Sequence, residues 1–208
     1  MSKKLVYGVG INDADYVVVI NEELGYVDGK RKRKEVWRCP FYMTWVNMLV
    51  RGYSEKLKLK YHTYKDCTVC EDWLRFSNFK SWMEAQDWEG KQLDKDILFI
   101  GNKLYSPTTC AFVSAHVNKF VLDSGSVRGD FKIGVNRRAD NGKFMSRCCN
   151  PFTGDRELLG HFTDEQAAYE AWLDKKLQHA KALAALQTDE RVAKALIARY
   201  ENYGECNV

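Results

Sequence analysis

The spacing of apolar side chains predicts a β-hairpin and then two helices in the first part of the chain. A β-branched run from Tyr16 to Ile20 and the turn dipeptide Asp28-Gly29 predict the hairpin. Pro40 can begin the first helix, whose apolar positions recur at helical spacing at Phe41, Trp45, Met48 and Leu49. The same spacing predicts a second helix over residues 70–85. Aromatic residues at this spacing usually face inward, so the apolar side of each predicted helix is interpreted as part of the core.

The middle of the chain predicts a strand, a loop, a second strand and a short helix. The strands are predicted over residues 93–100 and 109–113, and Ser114 can cap the helix that follows. Asp94 and Asp96 stand two positions apart in the first strand, so both carboxylates are expected on one face.

The last part of the chain predicts a small sheet and then helices. Strand-like runs cover residues 131–138, 143–149 and 157–162, with turn residues between them. Thr163 and Gln166 form a capping box for a long helix, and Thr188 can cap a final one. The small polar segment 123–129 is predicted to be a linker.

These elements predict an α+β protein with four regions. They are a β-rich basic arm (1–38), a strand–strand–helix domain with flanking helices (39–122), a three-stranded sheet packed on a helix (129–181) and a helical tail (182–208).

Composition fits a globular, reduced protein. The chain has 208 residues, is 45% hydrophobic and carries a net charge of +4. No apolar run approaches the roughly 18 residues of a membrane span, and no signal-peptide pattern is present, so a cytoplasmic protein is expected. The seven cysteines are accordingly interpreted as thiols.

The basic run Lys30, Arg31, Lys32, Arg33, Lys34 directly follows the hairpin turn. Five like charges in sequence repel one another unless an anion lies against them. Two interpretations therefore stay open, a solvated hairpin arm and an arm that contacts phosphates.

The sequence offers residues for two kinds of metal site. The carboxylates of Asp94 and Asp96 and the amide oxygen of Asn118 are hard ligands that suit Mg²⁺, and the short helix that carries Asn118 also carries His116. A zinc site is not favoured, because zinc needs four ligands and the CxxC of Cys67 and Cys70 is alone. Cys39 and Cys110 would complete it only if the fold brought them close.

Five ordered sequence blocks lie between Tyr42 and Phe120: 45–49, 69–73, 76–79, 93–96 and 105–113. Together they resemble the phage-type HNH endonuclease family, which has a ββα-metal nuclease core. The resemblance implies that Asp94 and Asn118 bind a divalent cation, Mg²⁺ or Mn²⁺. It also implies a phage protein expressed in the cytoplasm of a bacterial host.

The chain departs from that family at two positions. Lys95 replaces the general-base histidine, and Thr109 replaces a loop asparagine. A cationic lysine is a poor base, although it can stabilise negative charge. His116 is then a possible substitute base, a solvated helix histidine being an equal alternative, and Asp96 or Lys95 can assist.

Four further blocks lie between Phe131 and Leu177: 134–135, 142–144, 159–163 and 165–168. They resemble the plant Apetala/ethylene-response-factor domain, whose three-stranded sheet binds the DNA major groove. The residues expected to contact DNA are Arg137, Arg138, Lys143, Phe144, Arg147 and Arg156. Arg137 and Arg138 are adjacent, so only one of them is expected to read the groove.

The sequence therefore predicts a metal-dependent DNA endonuclease that nicks duplex DNA as a monomer or homodimer and has no membrane partner. Lys95 and Thr109 favour the alternative, a catalytically inactive DNA-binding regulator or inhibitor. A third hypothesis is a protein–protein module that binds a partner through its aromatic helices.

Overall fold

The computed structural model describes residues 5–122 and 130–203 and confirms an α+β protein. The chain divides into two compact units, Met1–Glu89 with Phe99–Phe112 and Gly90–Leu98 with Val113–Val208. The segment predicted as a linker, 123–129, lies outside the described residues. The four predicted regions stay predictions.

In the first unit, the predicted hairpin is confirmed. Its strands are β1 (Val19–Val27) and β2 (Lys30–Arg38), paired antiparallel. Asp28 and Gly29 have φ values of 52° and 71°. Positive φ at both central residues is the geometry of the tight turn that matches strand twist.

Three helices and a parallel strand pair complete this unit. The helices are α1 (Pro40–Tyr53), α2 (Glu55–Lys60) and α3 (Phe76–Glu84). The predicted first helix is confirmed as α1, with Trp45, Met48 and Leu49 buried. The pair consists of β3 (Thr68–Val69) and β5 (Leu104–Tyr105).

The prediction of one helix over residues 70–85 is wrong in its first turn. Glu71–Leu74 forms a 3-10 turn, Arg75 is extended, and α3 begins only at Phe76. Arg75 forms a parallel bridge with Ile11, and the amide of Ile11 donates to the carbonyl of Leu74. These backbone contacts with the N-terminal segment interrupt the helix.

The predicted strand–strand–helix order is present, but its first strand is short. β4 (Gln92–Asp94) pairs with β6 (Ala111–Val113), which leads into α4 (Ala115–Val121). Ser114 caps α4 as predicted, because its hydroxyl accepts from the amide of Val117 at 3.2 Å. The prediction of a strand over residues 93–100 is wrong beyond Asp94, where the chain turns.

The second unit also contains the predicted three-stranded sheet. Its strands β7 (Val135–Arg137), β8 (Phe144–Cys149) and β9 (Arg156–Phe162) are antiparallel in the order β7-β8-β9. The helices α5 (Glu165–Ala184) and α6 (Glu190–Glu201) follow. α5 packs on one face of the sheet and on α6, burying Ala168 and Trp172.

Both predicted caps of these helices are displaced by one residue. Asp164 and Asp189, rather than Thr163 and Thr188, accept hydrogen bonds from the first amides of α5 and α6. A carboxylate at a helix N-terminus also interacts favourably with the helix dipole, which a hydroxyl does less strongly.

Candidate functional site

Asp94 ends β4 and turns the chain with its own side chain. Its Oδ1 accepts hydrogen bonds from the amides of Asp96 at 2.7 Å and Ile97 at 2.6 Å. This local bonding competes with strand extension and explains why β4 stops at Asp94. Both amides bond to Oδ1, and neither of these hydrogen bonds uses Oδ2.

Burial raises the pKa of Asp94, and the hydrogen bonds from the amides of Asp96 and Ile97 oppose that shift. A partly buried carboxylate that is costly to ionise is the kind of group that a bound cation stabilises most.

Asn118 reaches the same face of β4. Its Nδ2 donates to Oε1 of Gln92 at 2.9 Å. Gln92 and Asp94 are two positions apart in β4 and therefore emerge on one face, opposite the buried Leu93. The bond thus sets Asn118 beside the face that Asp94 occupies. Sequence reasoning missed Gln92, although its i, i+2 spacing from Asp94 was a signal.

Asp96 was predicted to lie on the same face as Asp94, and this is wrong, because Asp96 lies in the turn after β4. Its two carboxylate oxygens accept from Nζ of Lys95, both at 2.7 Å. The Lys95 side chain is only 5% exposed, whereas that of Asp96 is 48% exposed. Lys95 acts here as a hydrogen-bond donor, and a general base must accept a proton.

His116 does not join the pair. It is two residues before Asn118 in α4, and residues at this spacing lie on nearly opposite sides of a helix. His116 is exposed and lines a cavity together with Lys119. The role of His116 as a substitute base stays a prediction, and its spacing from Asn118 sets the two side chains on different sides of α4.

Thr109 and the cysteines have structural environments. The hydroxyl of Thr109 donates to the carbonyl of Leu104 at 2.7 Å. Cys39, Cys67 and Cys110 are buried cysteines, and Cys70 is half-buried. Over residues 5–122 and 130–203, no three Cys, His, Asp or Glu side chains are grouped to hold a metal ion. A cation at Asp94 and Asn118 would have two protein ligands.

The C-terminal end of α4 is fixed by side chains from α5 and α6. The carbonyl of Phe120 accepts from Nζ of Lys176 at 3.0 Å and from the hydroxyl of Tyr200 at 3.2 Å. The carbonyl of Val121 accepts from Arg199 at 3.1 Å. These donors satisfy carbonyls that a helix end leaves without partners, and the two cations suit the negative end of its dipole.

The strand register separates the residues of the small sheet into two faces. One face is covered by α5 and includes Val135, Ser146 and Cys148, all buried. An extra residue, Leu159, displaces the register of β9 between its two halves. The outer face carries Asn136, Met145, Arg147, Cys149, Arg156, Leu158 and His161.

The predicted DNA contacts fall on different parts of this sheet. Arg147 and Arg156 lie exposed on the outer face. Arg137 and Phe144 lie on the helix-covered side, with the guanidinium 5.9 Å from the ring centroid. Sequence reasoning did not select Asn136, His161 or Leu158, although the alternation from Arg147 indicated the outer face.

Arg138 and Lys143 lie at the ends of the turn between β7 and β8. The guanidinium of Arg138 is paired with Asp140 at 2.5 Å, and Lys143 is exposed. The hydrogen bond from Arg138 lowers the pKa of Asp140. Of these two cations, Lys143 is therefore the one whose charge is less compensated within the turn.

The five basic residues of the hairpin divide between its faces. Arg31 and Arg33 share one face with Glu23, which is ion-paired with both. The other face, the lysine face, carries Lys30, Lys32 and Lys34, with Glu22 opposite Lys34. The lysine face therefore has three cations against one acid, and it is the more cationic of the two.

Comparison with known proteins assigns the chain to no family. No protein-family model, no curated protein and no solved structure matches the chain. Among the helices of the described residues, none combines the length and apolar character needed to cross a membrane.

Proposed function

We propose that the chain is a metal-dependent endonuclease that cleaves duplex DNA, with Asp94 and Asn118 as the protein ligands of one divalent cation. The observation that carries this proposal is the hydrogen bond from Asn118 to Gln92. It brings an amide from α4 to the strand face that holds the carboxylate of Asp94.

The donor set fits a hard cation. Asp94 and Asn118 would each hold the cation through a side-chain oxygen, and Mg²⁺ commonly binds to few protein groups and keeps several waters. A divalent cation supplies Lewis-acid stabilisation of a phosphodiester oxygen when bound. The chain's contribution is positional: the Asp94 turn and the Gln92 bond orient the two ligands.

Two exposed surfaces support DNA as the substrate. The lysine face of the hairpin presents alternate cations along one strand, and a two-stranded ribbon is narrow enough for a major groove. The outer face of the small sheet adds Arg147 and Arg156. Cations of this kind contribute affinity by contacting phosphates.

The buried Lys95 supports a second candidate, a DNA-binding protein without cleavage activity. Its Nζ is engaged with Asp96, in the position where the HNH family has its general base. A scaffold with this substitution would keep the basic surfaces and lose proton abstraction.

A nicking assay on supercoiled plasmid separates the two candidates. We expect open-circular product with Mg²⁺ or Mn²⁺ and no product with EDTA. In the presence of either metal, Asp94→Asn should lower the nicking rate at least about a hundredfold, because charge stabilisation at the reacting centre is lost. Asp66→Asn, at another acid and an exposed one, is the matched control. Gel-shift binding with no product under any metal would support the non-cleaving protein instead.

A further inference from the structure

The second unit contains a cavity of about 500 Å³ that the proposed cation pair does not use. It lies between α4, the loop that joins β8 to β9, and α5. Its volume is in the range of small-molecule sites, which is typically about 300–1,000 Å³. Residues from Asn150 to Gly154 form one side, and His116, Lys119 and Phe120 form another.

The walls of this cavity are cationic. Lys119 and Lys176 line it together with His116, and none of its lining residues is Asp or Glu. Nζ of Lys176 donates to the carbonyl of Phe120 and lies 3.8 Å from the Phe120 ring centroid. That charge is therefore held in the wall, where an anion in the cavity would benefit from it.

The lining of the cavity includes an exposed aromatic ring. Phe152 is 46% exposed, although its backbone is fixed. Oδ1 of Asn150 accepts from the amide of Phe152 at 2.8 Å, and Pro151 beside it is buried. An exposed ring on a constrained turn is a platform on which a planar group can stack at low entropic cost.

We infer that this cavity binds one nucleotide unit, with its phosphate toward His116 and Lys119 and its base on Phe152. The inference rests on the lining residues and not on the proposed cation pair. An inorganic anion alone would leave Phe152 and the exposed Leu122 uncovered, and a neutral apolar ligand would place no negative charge beside Lys119. A phosphate joined to a planar ring matches both parts. The unit can be a free nucleotide or one residue of a single strand.

The test is calorimetric titration of the full chain in EDTA with thymidine 5′-monophosphate, thymidine, inorganic phosphate and an eight-residue oligothymidylate. We expect the monophosphate or the oligonucleotide to bind more tightly than thymidine and phosphate. Phe152→Ala should weaken that binding by about tenfold, as for loss of one stacked base. Lys119→Ala should weaken it by about tenfold or more, as for loss of one charge-assisted hydrogen bond.

Two exposed residues away from the cavity are the matched controls, Phe99→Ala and Lys194→Ala, which should leave binding unchanged. Binding of the monophosphate supports a free nucleotide as the ligand, and binding of the oligonucleotide alone supports a residue of a strand. No binding of either, equal binding of inorganic phosphate, or binding unaffected by Phe152→Ala and Lys119→Ala would overturn the inference. Because EDTA is present throughout, the titration does not depend on a bound metal. A failure of the proposed metal-dependent nicking would therefore not change the nucleotide-binding result.

Discussion

Gly134 lies directly beneath the indole of Trp172. A Cβ at position 134 would overlap Cδ1 and Cγ of Trp172, and Gly134 has a φ of +79° that other residues rarely adopt. The close approach lets α5 pack on the sheet at the start of β7. Glycine is thus required here for both space and backbone conformation.

Gly134→Ala is expected to lower the free energy of unfolding by about 3 kcal/mol, from overpacking and left-handed strain together. Gly154→Ala separates the two causes, because Gly154 has a similar φ of +81° and nothing near its Cβ position. That variant should lose only about 1 kcal/mol, from strain alone. Urea unfolding checks both, and equal losses would contradict the packing role of Trp172.

Two substitutions of Asp94 should separate its structural role from its proposed role in cation binding. Asp94→Ala removes the acceptor of two amides and should cost about 1–3 kcal/mol of stability in urea unfolding. Asp94→Asn keeps an acceptor oxygen and removes a charge that burial disfavours, so it should lose less. Both should lose Mn²⁺ binding by calorimetry. Unchanged Mn²⁺ affinity in Asp94→Asn would remove Asp94 as a ligand.

Among the basic residues of the hairpin, those on the lysine face should contribute most to DNA binding. The triple change of Lys30, Lys32 and Lys34 to Gln should reduce the slope of log affinity against log salt by up to about 0.9 for each phosphate that the variant no longer neutralises. Changing Arg31 and Arg33 to Gln should have a smaller effect, because both are already paired with Glu23. Equal slopes for the two variants in a fluorescence titration would contradict the assignment of faces.

The two faces of the small sheet give a matched pair of arginines. Arg147→Ala removes an exposed cation from the outer face and should weaken binding of duplex DNA severalfold, because one phosphate is no longer neutralised. Arg137→Ala acts on the other side of the sheet, where the side chain lies over Phe144, and should leave binding nearly unchanged. A larger loss for Arg137→Ala in the same titration would reverse the proposed orientation.

His179 should make stability depend on pH. Burial lowers its pKa from the ordinary 6.5, and Glu157, whose Oε2 is 3.6 Å from Nε2, opposes the shift. The unfolded chain therefore binds this proton more readily. The free energy of unfolding should fall as pH drops below 6.5, by up to about 1.4 kcal/mol per pH unit, until the pKa of the folded state is passed.

His179→Gln should flatten this slope just below pH 6.5, whereas His161→Gln, at an exposed histidine on the outer face, should not. Glu157 affects stability only at lower pH, because the hydrogen bond from Lys175 lowers its pKa below the ordinary 4.5. Urea unfolding at several pH values is the measurement. An unaltered slope in His179→Gln would assign the pH dependence to another group.

Local patterns predicted most of the secondary structure. The Asp28-Gly29 turn, the Pro40 start of α1 and the three strands after residue 130 each follow from short-range rules. The structure agrees with them, except that the strand predicted over residues 131–138 is confirmed only over Val135–Arg137. The break before α3 came from backbone contacts with Ile11, and other failures came from side chains that bond to the backbone. Asp94, Asp164 and Asp189 accept amide hydrogens and move an element's end, and hydrophobic periodicity does not detect such bonds.

The candidate site was predictable only in part. Asp94 and Asn118 were selected from the sequence, but the bond of Asn118 to Gln92 joins residues 26 positions apart and needs the fold. The two faces of the sheet depend on the extra residue Leu159 in β9, which no sequence period marks. The positions of His116 and Asn118 on different sides of α4, in contrast, follow from their spacing alone.

The fixed end of α4 couples two parts of the second unit. Lys176 and Tyr200 grip the carbonyl of Phe120, two residues after Asn118, and Lys176 belongs to the helix that backs the sheet. Lys176→Met or Tyr200→Phe would leave that carbonyl with one donor fewer, so the last turn of α4 should fray more readily.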